Sequence, residues 1–356
     1  MTQALRIAII QRFLPSRSQG GVAHFTHQLA ERLIERGHAV TVYSLDPGPE
    51  SAHYRVIRPP DHHGIYSSRL GSVMGFAVWI SRQDFTQYDI IHAQGDNHLL
   101  RTSTPVIRTI HGASLAEAWY ARKLSTRLMF LSIYPLELIG VARATAAVGI
   151  SRNSTAYFPW VKNFIYQGVE VSYQAQRAAK SLTPSILFVG HRLNDRKRAN
   201  LLLGVFSQEV LPAFSTAELW LVCDETVTRP QVKCFSNLPA EELASLYQSA
   251  WVFCLPSSYE GFGRPYVEAL ASKTAVVATP NVGAIEVLDH GRYGVIVDET
   301  RLGSALIELL GDAHRRSELA EHGWQRAQMF TWDHAIAEYE ALYTSVLSRT
   351  LIHEAA

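Results

Sequence analysis

The sequence predicts an α/β protein made of two doubly wound parallel-sheet domains, and three observations predict it. Short β-branched apolar runs alternate with amphipathic helical patterns, as parallel strands joined by crossover helices require. The runs are apolar on both faces, so each strand must be covered from both sides. The alternation also occurs twice, once in each half of a 356-residue chain, which is long for one core and comfortable for two.

In the first half the strand candidates are RIAII, AVTVYSL, IIHA, PVIRTIHG and TAAVGIS; in the second they are SILFVG, ELWLVC, WVFCLP, AVVATP and GVIVD. The first helix is the clearest. Val22, Phe25, Leu29 and Leu33 form one apolar stripe, Gln28, Arg32, Glu35 and Arg36 face away, and Gly37 supplies the left-handed stop. Residues 169–185 (VEVSYQAQRAAKSLTPS) are polar and without period, and read as a linker between a domain at 1–168 and one at 186–330. The tail from 331 carries Trp332, Ile336, Tyr339, Leu342 and Tyr343 at helical spacing.

Composition narrows the function classes. Hydrophobic content of 47% with 18% charged residues describes a globular chain, and a net charge of +1 argues against a surface built for nucleic acid. The charge is uneven: residues 1–170 hold 17 Lys and Arg against 11 Asp and Glu (+6), and the remainder 16 against 21 (−5). The N-terminus lacks the pattern of a signal peptide and no uncharged apolar run reaches 18 residues, so a cytoplasmic address is expected. Cys223, Cys234 and Cys254 are spaced for neither a disulfide framework nor zinc.

The chemistry concentrates in SSYEGFGRPYVEAL, which follows the strand WVFCLP. Gly261 and Gly263 let the backbone turn sharply and approach a ligand. Pro265 suits the first turn of a helix, whose free N–H groups and dipole favour a phosphate or an electron-rich oxygen. Glu260 lies in the loop and Glu268 about one turn into the helix, so the two acids can reach different parts of one elongated ligand. Carboxylates grip sugar hydroxyls well because each accepts several hydrogen bonds.

This segment, with the EALASKTAVVATPNVGAIEVLDHGRYGVIV that follows, resembles the signature of retaining glycosyltransferases of family four (glycosyl transferases group 1). Their pattern is Glu, seven residues, Glu, with Gly-Phe-Gly after the first acid. QGGVAHFTHQLAERLIERGHAVTVYS, TIHG, GISRNS, QGVE and the late TW extend the likeness over nearly the whole chain. The resemblance implies the GT-B fold, two Rossmann-like domains facing across a cleft, the N-terminal one binding the acceptor and the C-terminal one the nucleotide sugar. It also implies a last helix that crosses back to the N-terminal domain. Glu260 would contact the transferred sugar, Glu268 the ribose hydroxyls, and the backbone of Gly261, Phe262 and Gly263 the sugar and diphosphate. Glu286 would lie near the donor, Phe235 to Leu238 near the base, and Gly20 and Gly21 near the diphosphate. His111 would sit beside the reacting sugar; His92 is the more ambiguous histidine. Ala284 stands where relatives carry a second glycine.

No two aspartates are two residues apart, so no metal is expected and side-chain cations should neutralise the leaving diphosphate. Lys197 occupies the place of the family's phosphate-contacting lysine. Relatives begin this motif with Gly-Arg, whereas here Gly190 is followed by His191 and then Arg192, and Arg198 replaces a common glycine. Arg192 with Lys197 is the expected pair, His191 the alternative. The implied reaction is metal-independent, cofactor-free transfer of a sugar, with retention, from a nucleotide sugar (UDP favoured over GDP) to a hydroxyl acceptor, a lipid-linked acceptor or polysaccharide precursor included. A sugar-nucleotide 2-epimerase on the same fold and a non-catalytic sugar-nucleotide-binding partner are the alternatives. The mixture of Trp119, Tyr120, Arg122, Lys123, Arg127, Met129 and Phe130 in 118–135 suits peripheral contact with an anionic membrane surface.

Overall fold

The computed structural model describes residues 4–15, 21–60, 66, 69–121, 123–169, 178–190, 196–225 and 227–354. Gly20, Arg122, His191, Arg192 and most of the linker, 170–177, lie outside the described residues. The chain divides into two compact units, Met1–Gly168 together with Trp332–Ala356, and Val169–Thr331.

The elements run in order β1 (Arg6–Ile10), α1 (Gly21–Glu35), β2 (Ala39–Tyr43), β3 (Arg55–Ile57), α2 (Arg69–Ile80), β4 (Ile90–Ala93), β5 (Val106–Ile110), α3 (Ser114–Tyr120), α4 (Leu124–Arg143), β6 (Ala146–Gly149) and α5 (Arg152–Thr155). There follow β7 (Ser185–Val189), α6 (Ala199–Val205), a π-helical turn (Phe206–Val210), α7 (Leu211–Ala213), β8 (Glu218–Val222), β9 (Val232–Phe235), α8 (Ala240–Ser249), β10 (Val252–Leu255) and α9 (Arg264–Ala271). The chain closes with β11 (Ala275–Ala278), α10 (Val282–Val287), β12 (Val295–Ile296), α11 (Leu302–Gly311), α12 (Ala313–Ala327) and α13 (Trp332–Glu354).

The first unit is a six-stranded sheet in the order β3-β2-β1-β4-β5-β6, parallel throughout. Alternate residues of β1 feed opposite cores, as the two-residue period of a strand requires. Ile7 and Ile9 pack with Phe25, Leu29 and Leu33 of α1 and with Trp332, Ile336, Tyr339 and Tyr343 of α13. Ala8 and Ile10 pack with Phe76 and Ile80 of α2 and Ile91 of β4. Phe25, Leu29 and Leu33 of the stripe that predicts α1 are therefore buried, Val22 at its start is half-buried, and Gly37 takes the left-handed conformation (φ 91°) expected of a helix stop.

Within this unit α13 is bonded to the strands beneath it as well as packed on them. His92 Nδ1 lies 2.7 Å from the Tyr343 hydroxyl and His92 Nε2 2.7 Å from Thr109 Oγ1; Thr109 in turn meets the Tyr339 hydroxyl at 3.2 Å. His92 is wholly buried, and burial pushes its pKa down to about 3, so it is a neutral structural bridge.

The second unit repeats the plan, with order β12-β11-β10-β7-β8-β9, again all parallel. Val252, Phe253, Cys254 and Leu255 of β10 are fully buried, as are Ile186, Leu187 and Phe188 of β7. In each sheet the strand order reverses once, between β1 and β4 and between β7 and β10, and such reversals open a crevice at the carboxyl ends of the strands. β3 and β9 are edge strands that sequence patterning does not reveal, because Arg55 and Lys233 interrupt their apolar runs where one side meets solvent.

Candidate active site

The reversal in the second unit brings two loops together, one after β7 carrying Lys197 and one after β10 carrying Glu260. Lys197 Nζ lies 2.6 Å from Glu260 Oε1, and the Ser257 hydroxyl donates to the same oxygen at 2.7 Å. Both charged side chains are mostly shielded, with 18% and 12% of their surfaces exposed, so their attraction is screened less than that of a surface pair. The loops are also tied through backbone, Ser258 N–H donating to Arg196 O at 2.8 Å. Gly190, after β7, lies against the Lys197 stem: a Cβ there would sit 3.3 Å from Lys197 Cγ and Cδ.

The glycine turn behaves as its residues require. Gly263 caps α9 with φ 90° and ψ 48°, and Pro265 stands in the first turn. A Cβ on Gly261 would meet nothing within 4 Å, so this backbone stands open to a ligand. Phe262 is buried against Phe330, ring centroids 5.7 Å apart, and anchors the turn. Glu268, on α9, accepts a hydrogen bond from the buried Tyr247 hydroxyl at 3.0 Å, with Arg264 3.7 Å away.

A framework that the motif reading missed holds this loop. Asn281 caps α10 by accepting from Ala284 N–H at 2.9 Å, while its amide donates to Ser257 O at 3.1 Å and to the Tyr266 hydroxyl at 3.0 Å. Thr279 Oγ1 donates to Ser257 O at 2.8 Å. Gly283 lets the start of α10 press on the glycine turn: a Cβ there would be 2.8 Å from Glu260 Cβ, Glu260 O and Phe262 O. The glycine of NVGAIE is the signal that could have found it. Ala284, where the resemblance leads one to expect glycine, is buried in ordinary helix. Arg198, another departure, holds the left-handed φ of 57° that favours glycine and pairs with Glu299.

Glu286 is half-buried near the end of α10, its carbonyl accepting from Arg326 at 3.0 Å. Phe235 ends β9, the strand at the edge of the sheet opposite to β11 and β12, its carbonyl accepting from Cys223 N–H, and half-buried Leu238 follows three residues later.

In the first unit, His111 follows β5 and its Nε2 lies 2.7 Å from Gln94 Oε1 in the loop after β4. Burial, with Arg108 and His92 adding, pushes its pKa down to about 3, so His111 is neutral and donates to Gln94. Phe25 meets the His111 ring edge-on at 4.9 Å. Gly21 opens α1 with free space around its Cα and lines a cavity of about 420 Å³ at the β1–β4 reversal. Gln11 and Arg12 after β1, Gln94 and Asp96 after β4, Arg108 of β5 and Glu137 of α4 also line it. Among the described residues, no group of three or more His, Cys, Asp or Glu gathers to hold a metal.

The family described as Glycosyltransferase Family 4 matches residues 19–188, and that described as Glycosyl transferases group 1 matches residues 183–312. An MMP alpha-(1->4)-mannosyltransferase of Mycolicibacterium hassiacum is 25% identical over 97% of this chain and 99% of its own length. A D-inositol 3-phosphate glycosyltransferase of Corynebacterium urealyticum is 37% identical over 118 residues, 32% of this chain; that match spans only 28% of the relative's length. Among solved structures, Anabaena Alr3699/HepE in complex with UDP superposes with a TM-score of 0.72 at 17% identity, covering 96% of this chain and all of that one. With the acid pair, the glycine turn and two parallel six-stranded sheets of GT-B type, these matches place the chain in the family 4, group 1 glycosyltransferases, enzymes that move a sugar from a donor to an acceptor.

Proposed function

We infer that this protein is a retaining, metal-independent transferase that uses a nucleotide sugar, with UDP as the base-bearing carrier, and a hydroxyl acceptor. The observation that carries the reading is the Lys197–Glu260 pair at the β7–β10 reversal, 2.6 Å apart beside the start of α9. Cleaving a sugar–diphosphate bond sheds negative charge onto the diphosphate. Lys197 is the fixed cation to meet it, with the free N–H groups of α9 adding their dipole. Glu260, held by Ser257 and Lys197, orients the sugar hydroxyls, and Glu268, held by Tyr247, orients the ribose. The leaving diphosphate oxygen deprotonates the incoming hydroxyl on the same face, which preserves the anomeric configuration without a side-chain base. His111, neutral and anchored on Gln94, hydrogen-bonds the reacting sugar.

The UDP assignment draws on the HepE complex and on the β9 edge with Phe235 and Leu238. The absence of an Asp-x-Asp pair supports metal independence. The protein works in the cytoplasm, with its first unit in peripheral contact with membrane: α4 is the one described helix long and apolar enough to cross a bilayer, and only 11% of that apolar window is buried. A thermal-shift panel of UDP- and GDP-sugars, run with and without chelator, tests the donor, since only a bound donor raises the midpoint. NMR of the product anomer tests retention. An inverted product, or stabilisation by GDP-sugars alone, would defeat the respective part. Interconversion of sugar nucleotides without any acceptor would favour the epimerase.

A further inference from the structure

The second unit has another cavity, of about 360 Å³, at the opposite ends of its strands from Lys197 and Glu260. Lys180 precedes β7, Trp251 precedes β10 and Lys273 precedes β11; with Arg316, Ser317 and Ala320 of α12 they line it. Pockets for small molecules run from about 300 Å³ upward, so this one has room for more than a bare ion.

Three cations line this space and one carboxylate answers them. Lys273 Nζ lies 2.6 Å from Glu321, whereas Lys180 and Arg316 make no ion pair among the described residues. Lys180 Nζ donates to Ala250 O at 2.8 Å, Lys273 O at 3.1 Å and Thr274 Oγ1 at 2.9 Å. Its three donors are spent, so it acts as a fixed positive charge. Burial, with Arg316 adding, pushes its pKa down to about 8. Burial also lowers that of Arg316, against the pull of Asp312. An anion set beside the two would relieve both.

Arg316 is placed for that anion. Its guanidinium stacks over the Trp251 ring at 4.3 Å, and Trp251 Nε1 fixes the ring by donating to Ser181 O at 2.8 Å. Arg316 Nη1 donates to Leu309 O at 2.6 Å and Leu310 O at 2.7 Å, at the end of α11. Capping that helix accounts for Nη1 alone. Nε and Nη2 form the edge whose two N–H groups match an oxyanion side-on, and they have no partner among the described residues. The exposed Ser317 hydroxyl, equally without a partner there, adds a donor. Ala275, Ala313 and Ala320 supply small apolar lining for the rest of a ligand.

We propose that this cavity binds a small organic oxyanion, a phosphate monoester or carboxylate. Its head takes the Nε–Nη2 edge of Arg316 beside Lys180, and its body lies against the alanines and Trp251. The occupant is a further ligand, separate from donor and acceptor, and the site does not rest on the transferase reading.

Calorimetric titration of the full chain at fixed ionic strength tests it, with phenyl phosphate, benzoate and inorganic phosphate as probes and chloride as the reference anion. A ring probe should bind about tenfold more tightly than inorganic phosphate or better, because it buries apolar area that the bare ion lacks. Ala320→Leu fills the cavity and keeps every cation, while Arg316→Lys keeps the charge and loses the fork. Each should weaken the ring probe by about tenfold or more. Lys197→Ala should leave this binding unchanged. The pattern with either ring probe supports the proposal, and the tighter of the two names the head. Should Arg316→Lys fail to fold, Ala320→Leu decides. Binding lost in Lys197→Ala and kept in Ala320→Leu would place the anion in the crevice beside Glu260 and overturn the proposal. No ring probe bound above chloride overturns it, and so does equal affinity for ring probe and inorganic phosphate in parent and Ala320→Leu alike, the mark of diffuse surface charge.

Discussion

Lys197 and Glu260 come from loops 63 residues apart in sequence, yet Nζ and Oε1 meet at 2.6 Å where the sheet of the second unit reverses. A carboxylate placed there keeps the lysine aimed at the crevice before any ligand arrives. On the nucleotide-sugar reading proposed above, a diphosphate would offer this lysine a second anionic partner.

Lys197→Ala should therefore lower kcat by about 10²- to 10³-fold, the usual loss when one preorganised donor to a developing charge is removed. Circular dichroism should still show a folded chain, with a melting point lowered by the loss of Glu260's partner in a mostly shielded pair. Glu260→Gln should weaken turnover as well, since it loses the charge that fixes Lys197 and the strongest acceptor for sugar hydroxyls. Steady-state kinetics on the two variants decide it. Full activity in Lys197→Ala would remove this lysine from the chemistry.

Gly283→Ala should damage the site from outside it. Its Cβ would meet Glu260 Cβ and two backbone oxygens, Glu260 O and Phe262 O, all at 2.8 Å, and backbone cannot step aside as a flexible side chain can. Overpacking of this kind costs about 1–3 kcal/mol. Gly204→Ala is the control, because its Cβ meets nothing within 4 Å and the residue is helical. The first variant should melt lower and lose kcat, the second should melt no lower than the parent. Equal melting of the two would mean that α10 does not brace the turn.

What could be read from residues alone follows the same physics. Strands buried on both faces announce themselves as unbroken apolar runs, so β1, β5, β7, β10 and β11 were legible, whereas β3 and β9 were not. The left-handed turn at Gly263 was legible because dihedral demands are local, whereas Glu260 and Glu268 stand out as a candidate pair through the family resemblance. Arg108, Asn97 and Gln94 were not, because a lone Arg within a strand, or a lone Asn or Gln after one, has no pattern of its own. Only the fold brings them together around one cavity. The same holds for His92, whose burial between Thr109 and Tyr343 depends on a helix 251 residues away in sequence.

His92 makes the first unit acid-sensitive. Its folded pKa of about 3 lies below the ordinary 6.5, so the unfolded chain takes up a proton first as pH falls. Stability is thus fully present above about pH 6.5 and drains away between there and pH 3, amounting to about 2 kcal/mol by pH 5. His92→Gln, which can still bond to Tyr343 and Thr109 but cannot titrate, should be less stable than the parent at pH 7. It should lose less between pH 7 and pH 5. Denaturant melts at the two values measure both slopes, and parallel slopes would show that His92 is already charged or exposed.

Gly168 and Trp332 form a close seam by which α13 joins the rest of the first unit. A Cβ on Gly168 would sit 2.4 Å from Trp332 Cδ2, 2.6 Å from Cε3 and 2.8 Å from Cγ, so the indole lies flat against bare backbone. The indole in turn contacts Phe25 at 5.3 Å between centroids, and Phe25 contacts His111. Gly168→Ala should therefore destabilise by about 1–3 kcal/mol through overpacking. Trp332→Phe should destabilise through the space it vacates, by up to about 3 kcal/mol if the neighbours do not close in. Because one change adds volume where the other removes it, the double variant should be less destabilised than the sum of the two. A coupling energy beyond about 0.5 kcal/mol is the mark of residues in direct contact. Strict additivity in the four melts would mean that the indole does not rest on Gly168.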